Sequence, residues 1–284
     1  MMRHLSGFSA LADGYDGFIL DLWGVIHDGV RPYPGAIDCL ERLRAAGKRA
    51  VLLSNAPRRV HVAQHSMRRM GIADDLYTGC LTSGEATHVM LRDRVDPWFA
   101  RLGTRVFHLG PERDRNVMEA LPLTQVSTAA DATFVLNTGA GPERSLTEVA
   151  AYDGILQACR AADLPMICAN PDLVVIRGGT PELCAGAIAR RYEEMGGVAR
   201  WIGKPDPTIY APVLEMLDVP KPRVLAVGDA LRTDIAGAAA VGVDACWVLG
   251  GIHAAELGHD IGRIEAAAAA AQLRPVATLP AFVW

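Results

Sequence analysis

Several apolar runs of this sequence end in residues that could support phosphoryl transfer. Asp21 follows the run FIL, and Asp229 follows VLAVG. Ser54 and Asn55 follow AVLL, and Lys204 follows RWIG. A fixed, ionised aspartate can act as a nucleophile, and a divalent cation held by oxygen ligands allows it to approach an anionic phosphate. These residue types therefore suit a site in which phosphate is transferred to a carboxylate.

Each part of such a site has a candidate residue. Asp21 is the candidate nucleophile, and Asp229, together with Asp21 and a backbone carbonyl, is a candidate ligand of Mg²⁺. Asp234 lies near the start of the next predicted helix, where it could orient Asp229 or a metal-bound water. The candidate donors to the phosphoryl oxygens are the Ser54 hydroxyl, the Asn55 amide and the Lys204 ammonium group.

Alternating strand-like and helix-like segments are expected to position these residues. Helical stripes of apolar residues run over Pro34–Ala46 and Arg58–Met70, and each ends at a glycine. The predicted strands are Gly17–Leu20, Arg49–Leu53, Thr104–Leu109, Ala132–Asn137, Pro165–Ala169, Ala199–Ile202, Val224–Val227 and Ala245–Leu249. This alternation predicts an α/β fold with a Rossmann-like, doubly wound parallel sheet, whose ligands bind beyond the carboxyl ends of the strands.

The site candidates lie toward the two ends of the chain, which predicts a core interrupted by an insertion. Residues 1–81 plus 198–284 are assigned to the core, and residues 82–197 to an inserted α/β cap domain that would close over the substrate. The alanine-rich segment 264–273 is predicted to form a helix near the C-terminus.

Composition excludes several classes of function. The net charge of −4 gives no reason to expect nucleic acid or an anionic membrane as partner, and no apolar run is long enough to span a bilayer. The N-terminus does not read as a signal peptide. The six cysteines form no CxxC pair, which favours free thiols in a reducing, cytoplasmic environment.

The motifs together resemble those of the haloacid dehalogenase (HAD) superfamily, specifically its class IIA branch of capped nitrophenyl, sugar and nucleotide phosphatases. FILDLWGVI is similar to the first motif, hhhhDxDGhh, except at the second aspartate, where Trp23 stands. LLSNAP resembles the second motif and WIGKPDPTIY the third. VLAVGDALRTDIAGAAAVG resembles the fourth motif, GDxxxTDhxGAxxxG.

This resemblance implies a Mg²⁺-dependent hydrolase that acts on a small phosphorylated metabolite through an aspartyl-phosphate. Asp21 would be nucleophile and metal ligand, Asp229 and the backbone carbonyl of Trp23 would complete the protein ligands, and Lys204 would take part in catalysis. Ser54, Asn55 and Lys204 would cradle the phosphate. The C2-type cap would lie between the second and third motifs, and it could also mediate assembly of a homo-oligomer.

Within the cap, CANPD resembles the branch segment ATNxD, which implies that Asn170 and Asp172 contact the substrate. Arg177 is a further candidate contact to an anionic substrate. A dehalogenase also lacks the second aspartate, but the retained Asp229 and the GKP lysine argue against that chemistry.

Trp23 cannot replace an aspartate that acts as general acid and then as general base, because its indole N–H only donates. Three explanations stay open. His27 or Asp28, just beyond in VIHDG, could substitute; the leaving group could depart without a proton, as from an acyl phosphate or anhydride; or the protein could bind a phosphorylated ligand with little turnover. Trp23 could equally pack against an aromatic or apolar substrate.

Overall fold

The computed structural model describes residues 2–252, 254, 258 and 260–284. In chain order its strands are β1 (Arg3–His4), β2 (Gly17–Leu20), β3 (Arg49–Ser54), β4 (Gly79–Thr82), β5 (Arg105–Leu109), β6 (Thr124–Val126), β7 (Phe134–Asn137), β8 (Met166–Cys168), β9 (Val174–Arg177), β10 (Thr180–Leu183), β11 (Ala199–Trp201), β12 (Val224–Gly228), β13 (Asp244–Val248) and β14 (Ala277–Leu279).

The larger sheet has seven parallel strands in the order β1, β14, β13, β12, β2, β3, β4. Its central strands are almost entirely buried, as expected for a parallel sheet covered on both faces. Leu20 and Leu40 belong to the apolar cluster on one face, and Ile19 and Val213 to the cluster on the other. The predicted fold class of the core is confirmed.

Helices lie between the strands. In chain order they are α1 (Ser9–Ala12), α2 (Ala36–Ala45), α3 (Val60–Arg69), α4 (Ser83–Asp93), α5 (Pro97–Ala100), α6 (Asp153–Ala161), α7 (Ala185–Glu194), α8 (Tyr210–Leu217), α9 (Ala236–Ala240) and α10 (Ile261–Ala270). Short 3₁₀ turns cover Asp74–Leu76, Glu112–Met118, Ala129–Asp131, Val149–Tyr152, Pro207–Ile209 and Lys221–Arg223, and a π-helical turn covers Leu231–Ile235.

A second, smaller sheet forms the cap. Its five parallel strands lie in the order β11, β8, β7, β5, β6, and its two faces bury separate apolar clusters. Strands β9 and β10 pair as a separate antiparallel hairpin within the inserted segment. The inserted α/β unit therefore has its own core, which a domain needs if it is to pack as an independent layer.

One predicted domain boundary differs from the sheet topology. The sequence assigns residues 198–284 wholly to the core, but β11 pairs with β8 in the smaller sheet. The chain therefore leaves the cap only after Trp201, and the predicted core strand Ala199–Ile202 is a cap strand. A short apolar segment carries no signal that distinguishes one parallel sheet from another, which explains the error.

The six cysteines are free and buried, as the sequence predicts. Among the described residues, no helix has both the length and the apolar character needed to cross a bilayer.

Candidate active site

Three neighbouring strands of the larger sheet deliver polar residues to one edge. Asp21 directly follows β2, Ser54 ends β3, and Asp229 directly follows β12. These strands lie side by side in the order β12, β2, β3, and all three side chains are buried. The parallel sheet thus brings residues from distant parts of the sequence to a common position beyond its carboxyl end.

Lys204 reaches the same position from the cap side, two residues beyond Ile202. Its Nζ lies 2.7 Å from Asp21 Oδ1 and 2.6 Å from Asp234 Oδ1, and it donates to the Leu53 carbonyl at 3.0 Å. Burial acts to lower the pKa of Lys204, but the two carboxylates outweigh it and raise the pKa above its ordinary value. The lysine therefore stays charged and ties both aspartates together.

Asp21, Asp229 and Asp234 form a carboxylate cluster, with one oxygen of each lying within 4.8 Å of the others. Burial, followed by the charge of Asp234, raises the pKa of Asp21, and the same causes raise the pKa of Asp229 to about 7. Three buried carboxylates face one ammonium group, so the cluster carries excess negative charge. An oxygen-rich, anionic set of this kind fits a hard divalent cation such as Mg²⁺.

Asp229 is held by a loop that the sequence does not single out for this purpose. The Ile252 N–H donates to Asp229 Oδ2 at 2.7 Å. Gly24 has φ +79°, and a Cβ on it would lie 1.9 Å from the same oxygen. A Cβ on Gly251 would likewise lie 2.0 Å from Asp229 Oδ2. The GGIH segment therefore lines the carboxylate cluster, although its final residue, at position 253, lies outside the described residues.

Asp234 lies in the π-helical turn, a local geometry frequent at functional sites. Its Oδ2 accepts the Ala230 N–H at 3.1 Å, and its Oδ1 bonds Lys204. These hydrogen bonds position the lysine, whereas the sequence predicts that Asp234 orients Asp229 or a metal-bound water.

Asn55, which the sequence predicts to bind phosphate, also forms hydrogen bonds that link the core to the cap. Its Oδ1 accepts the Lys204 N–H at 2.8 Å, and its Nδ2 donates to the Lys204 carbonyl at 3.2 Å and to Asp172 Oδ1 at 2.9 Å. The side chain therefore fixes the Lys204 backbone and joins core to cap. Ser54 Oγ accepts the Ala56 N–H at 3.2 Å, which orients the hydroxyl.

The predicted cap residues line a cleft between core and cap. Asn170 Oδ1 accepts the Asp172 N–H at 3.0 Å, and both side chains face the cleft. Burial raises the pKa of Asp172. The free space within the cleft is about 50 Å³.

Trp23 also lines this cleft, half-buried. The Arg177 guanidinium lies over the indole, with Cζ 4.9 Å from the ring centroid. The His27 ring packs against the indole edge-to-face, with 5.4 Å between the two ring centroids. A Cβ on Gly29 would lie 2.0 Å from the indole, so the turn is fitted around this ring. The tryptophan therefore joins the turn after β2 to the cap hairpin.

His27 and Asp28, the candidate substitutes for the missing general acid, form hydrogen bonds within their own turn. His27 Nδ1 accepts the Gly29 N–H at 3.1 Å, and burial lowers the pKa of this histidine to about 4. Asp28 Oδ1 accepts the N–H groups of Val30 and Arg31 at 2.9 and 2.8 Å. Both side chains shape the turn, and neither is among the residues that line the cleft.

Basic residues also line the cleft: Arg177, which the sequence marks as a candidate contact to an anionic substrate, and Arg58 and Arg113, which it does not. Arg58 Nη2 lies 3.3 Å from Asp114 Oδ1, and Arg177 Nε lies 3.0 Å from Glu182 Oε2. Arg113 also lines the cleft. We call Arg58, Arg113 and Arg177 the arginine wall. Sequence could not group these residues, since they come from the loop before α3, a 3₁₀ turn and β9.

Comparison with known proteins identifies the family. Residues 18–124 match a model described as haloacid dehalogenase-like hydrolase, and residues 201–276 match one described as HAD-hydrolase-like. A hydrolase of the haloacid dehalogenase-like family from Brucella suis 1330 is 34% identical, with a TM-score of 0.85, and the match covers 98% of this chain and 100% of that one. The chain belongs to the HAD superfamily.

Two further relatives are similar over most of their length. Chronophin from Bos taurus is 27% identical over 84% of this chain and 83% of the bovine protein. A 4-nitrophenylphosphatase from Thermotoga maritima is 26% identical, with a TM-score of 0.69, and the match covers 95% of this chain and 96% of that one. The predicted membership of the class IIA branch of HAD hydrolases is confirmed.

Proposed function

We propose that this protein is a Mg²⁺-dependent phosphatase of small phosphorylated metabolites. The observation that carries the proposal is the convergence of Asp21, Asp229, Asp234 and Lys204 in one buried cluster. Asn55, which bonds the Lys204 backbone, also lines the cleft between core and cap. The similarity to a 4-nitrophenylphosphatase supports the same class of reaction.

Asp21 is the nucleophile in this proposal. Its Oδ1 is held by Lys204 Nζ and by the Leu22 N–H at 2.8 Å, so we assign the attack on phosphorus to Oδ2. Attack displaces the leaving oxygen and forms an aspartyl-phosphate, which water then hydrolyses to release phosphate and restore the carboxylate.

The remaining residues act on charge and orientation. Asp21, Asp229 and the Trp23 carbonyl would hold Mg²⁺, which when bound neutralises the repulsion between carboxylate and phosphate. Lys204, Ser54 and the Asn55 amide would bind the phosphoryl oxygens. Asn170 and Asp172, from the cap, would contact the rest of the substrate.

Trp23 favours substrates whose leaving group departs without a proton. The position of the usual general acid is filled by an indole that stacks under Arg177. We therefore expect phenolic, acyl and anhydride phosphates to be better substrates than alkyl phosphates, because loss of a general acid typically costs about 10²–10⁴-fold in rate.

The same observation supports a second candidate function, in which the protein binds a phosphorylated ligand and barely turns it over. Assembly of a homo-oligomer through the cap stays a prediction under either function.

Hydrolysis of para-nitrophenyl phosphate and of a panel of sugar, nucleotide and acyl phosphates, with and without Mg²⁺, tests the proposal. We expect Mg²⁺-dependent release of phosphate that is lost in Asp21→Asn. Tight binding of panel members without Mg²⁺- and Asp21-dependent release would instead establish the second candidate.

A further inference from the structure

We propose that Asp172, from the cap, is the general base that activates water for hydrolysis of the aspartyl-phosphate. The proposal rests on the proposed function, because it takes Asp21 as the nucleophile whose phosphorylated form must be hydrolysed. Trp23 cannot accept a proton from that water, since its indole N–H only donates. The second half of the reaction therefore needs a base from elsewhere in the site.

Of the three carboxylates that line the cleft, two are paired with arginines. Asp114 Oδ1 lies 3.3 Å from Arg58 Nη2, and Glu182 Oε2 lies 3.0 Å from Arg177 Nε. A neighbouring guanidinium stabilises the ionised form of a carboxylate and so makes it a weaker base. Asp172 has no such partner within the part of the chain that the structure describes; the hydrogen bond to its carboxyl group comes from a neutral side-chain amide.

Asn55 fixes the orientation of the Asp172 carboxyl group beside the predicted phosphate site. Asn55 Oδ1 accepts the Lys204 N–H at 2.8 Å, so the amide presents Nδ2 on its other side, where it donates to Asp172 Oδ1 at 2.9 Å. Asp172 Oδ2 has no hydrogen-bond partner among the described residues, and Asp172 lines the cleft. One oxygen of the carboxyl group is therefore held, and the other is available for a proton.

The backbone around Asp172 is held from both core and cap. Asn170 Oδ1 accepts the Asp172 N–H at 3.0 Å, and the Asp172 carbonyl accepts the Gly186 N–H, in the first turn of α7, at 3.1 Å. Arg232, from the π-helical turn of the core, donates to the Pro171 carbonyl. A general base acts efficiently only when its position relative to the reacting atoms is fixed, and these contacts fix it.

The surroundings of Asp172 suit a base and the water that it activates. Burial raises the pKa of Asp172, although the charge of Lys204 opposes the rise. A pKa closer to neutrality than that of a solvated aspartate makes the carboxylate a stronger base. The free space of the cleft, about 50 Å³, has room for water, since one water molecule needs about 10–15 Å³ of such space.

The bond and proton changes of this step balance. After the leaving group has departed, water attacks phosphorus, and the bond from phosphorus to Asp21 Oδ2 breaks. The Asp172 carboxylate takes the proton that the water gives up, so inorganic phosphate and the Asp21 carboxylate are formed, and Asp172 then returns the proton to solvent. Because Asp172 starts the cycle ionised, it gives no proton to the leaving group, which agrees with the preference expected for phenolic, acyl and anhydride phosphates.

The test separates formation of the aspartyl-phosphate from its hydrolysis. Rapid mixing with excess para-nitrophenyl phosphate and Mg²⁺ gives the rate of the first turnover from nitrophenol release, and the later linear phase gives kcat. In Asp172→Asn, which keeps an acceptor for Asn55, kcat should fall about tenfold or more, because a general base typically supplies about 10²–10⁴-fold. The first turnover should stay within about threefold of wild type, and acid-quenched peptide mass spectrometry should find phosphate on Asp21.

Glu182→Gln is the matched control, because it removes another carboxylate from the lining of the same cleft. Phosphate should not accumulate on Asp21 in this variant. A first turnover of Asp172→Asn that slows as much as kcat, with no phosphate held on Asp21, would overturn the proposal, because Asp172 would then act on binding or on the fold.

The same measurements separate this proposal from the proposed function. If the wild-type protein shows no Mg²⁺- and Asp21-dependent hydrolysis, the proposed function fails and this proposal fails with it. If the wild-type protein hydrolyses para-nitrophenyl phosphate through Asp21 but Asp172→Asn has the same kcat, only the role of Asp172 is rejected.

Discussion

The carboxylate cluster with Lys204, here called the floor, sets three buried carboxylates against a single lysine, whereas the cleft sets three arginines against three carboxylates, Asp114, Asp172 and Glu182. The floor is built from strand ends of one sheet and is closely bonded: Lys204 contacts Asp21, Asp234 and the Leu53 carbonyl. The arginines come from three separate segments, and the Arg58–Asp114 pair leaves one donor, Arg58 Nε, and one acceptor, Asp114 Oδ1, without a hydrogen-bond partner among the described residues. Under the proposed function, the floor would transfer the phosphoryl group and the arginines of the cleft would face the rest of the substrate.

Removing Lys204 should have the largest effect, because it lowers both the stability of the carboxylate cluster and the rate of hydrolysis. Lys204→Met leaves Asp21 and Asp234 buried without their counter-charge, so we expect a loss of about 3–5 kcal/mol in the free energy of unfolding. Loss of its donor to phosphate should lower kcat by about 10²–10³-fold. Urea denaturation and steady-state kinetics with para-nitrophenyl phosphate measure the two effects.

The double variant Lys204→Met/Asp234→Asn is the control, since it removes one of the two stranded charges. Stability should largely return while activity should not. Recovery of activity together with stability would mean that Lys204 only supports the fold.

Restoring the missing carboxyl group sharpens the comparison between chemistry and recognition. Trp23→Asp in an Arg177→Gln background should raise kcat for alkyl phosphates by about 10²-fold relative to the Arg177→Gln protein. The second substitution is needed because Arg177 would otherwise pair with the new carboxylate. Rates with para-nitrophenyl phosphate, which needs little proton donation, should change much less.

Trp23→Ala in the same background separates the new carboxyl group from loss of the indole. It removes the ring without adding an acid, so alkyl phosphate hydrolysis should not rise. An equal gain in both variants would show that the indole had merely blocked the cleft.

His27, in the turn after β2, should make the free energy of unfolding depend on pH. Burial lowers the pKa of His27 to about 4 from its ordinary value of 6.5. Between these values the unfolded chain binds the proton and the folded chain does not, so stability falls as the pH falls below 6.5. At pH 5 this amounts to about 2 kcal/mol.

Urea denaturation at pH 7 and pH 5 measures this contribution. His27→Asn keeps an acceptor for the Gly29 N–H and should reduce the loss of stability between pH 7 and pH 5 by about 2 kcal/mol relative to the wild type. Other groups with shifted pKa values, such as His108 and Asp229, contribute equally to both proteins. His61→Asn, at an exposed position, should leave the difference unchanged. An unchanged difference in His27→Asn would contradict this assignment.

Much of the core could be predicted from sequence because strongly apolar strands have a clear local signal. Gly17–Leu20 was predicted with its observed bounds, and Val224–Val227 falls one residue short of β12. The antiparallel hairpin of β9 and β10 was missed although Val174–Ile176 are apolar, since neither strand is fully buried and the segment TPEL of β10 has no apolar run. β14 was missed as well, because three residues are too few to show a period.

The sequence by itself determined the parts that depend on residue type and on position after a strand: Asp21, Ser54 and Asp229 at the ends of apolar runs that parallel pairing must align. Tertiary structure alone decided that β11 joins the cap sheet and still delivers Lys204 to Asp21. It also decided that Asn55 ties core to cap, and that arginines from three segments share one wall. The physical reason is that strand formation and its polar ends are local properties, whereas the pairing of charges across a cleft depends on segments whose distance in space is fixed only by packing.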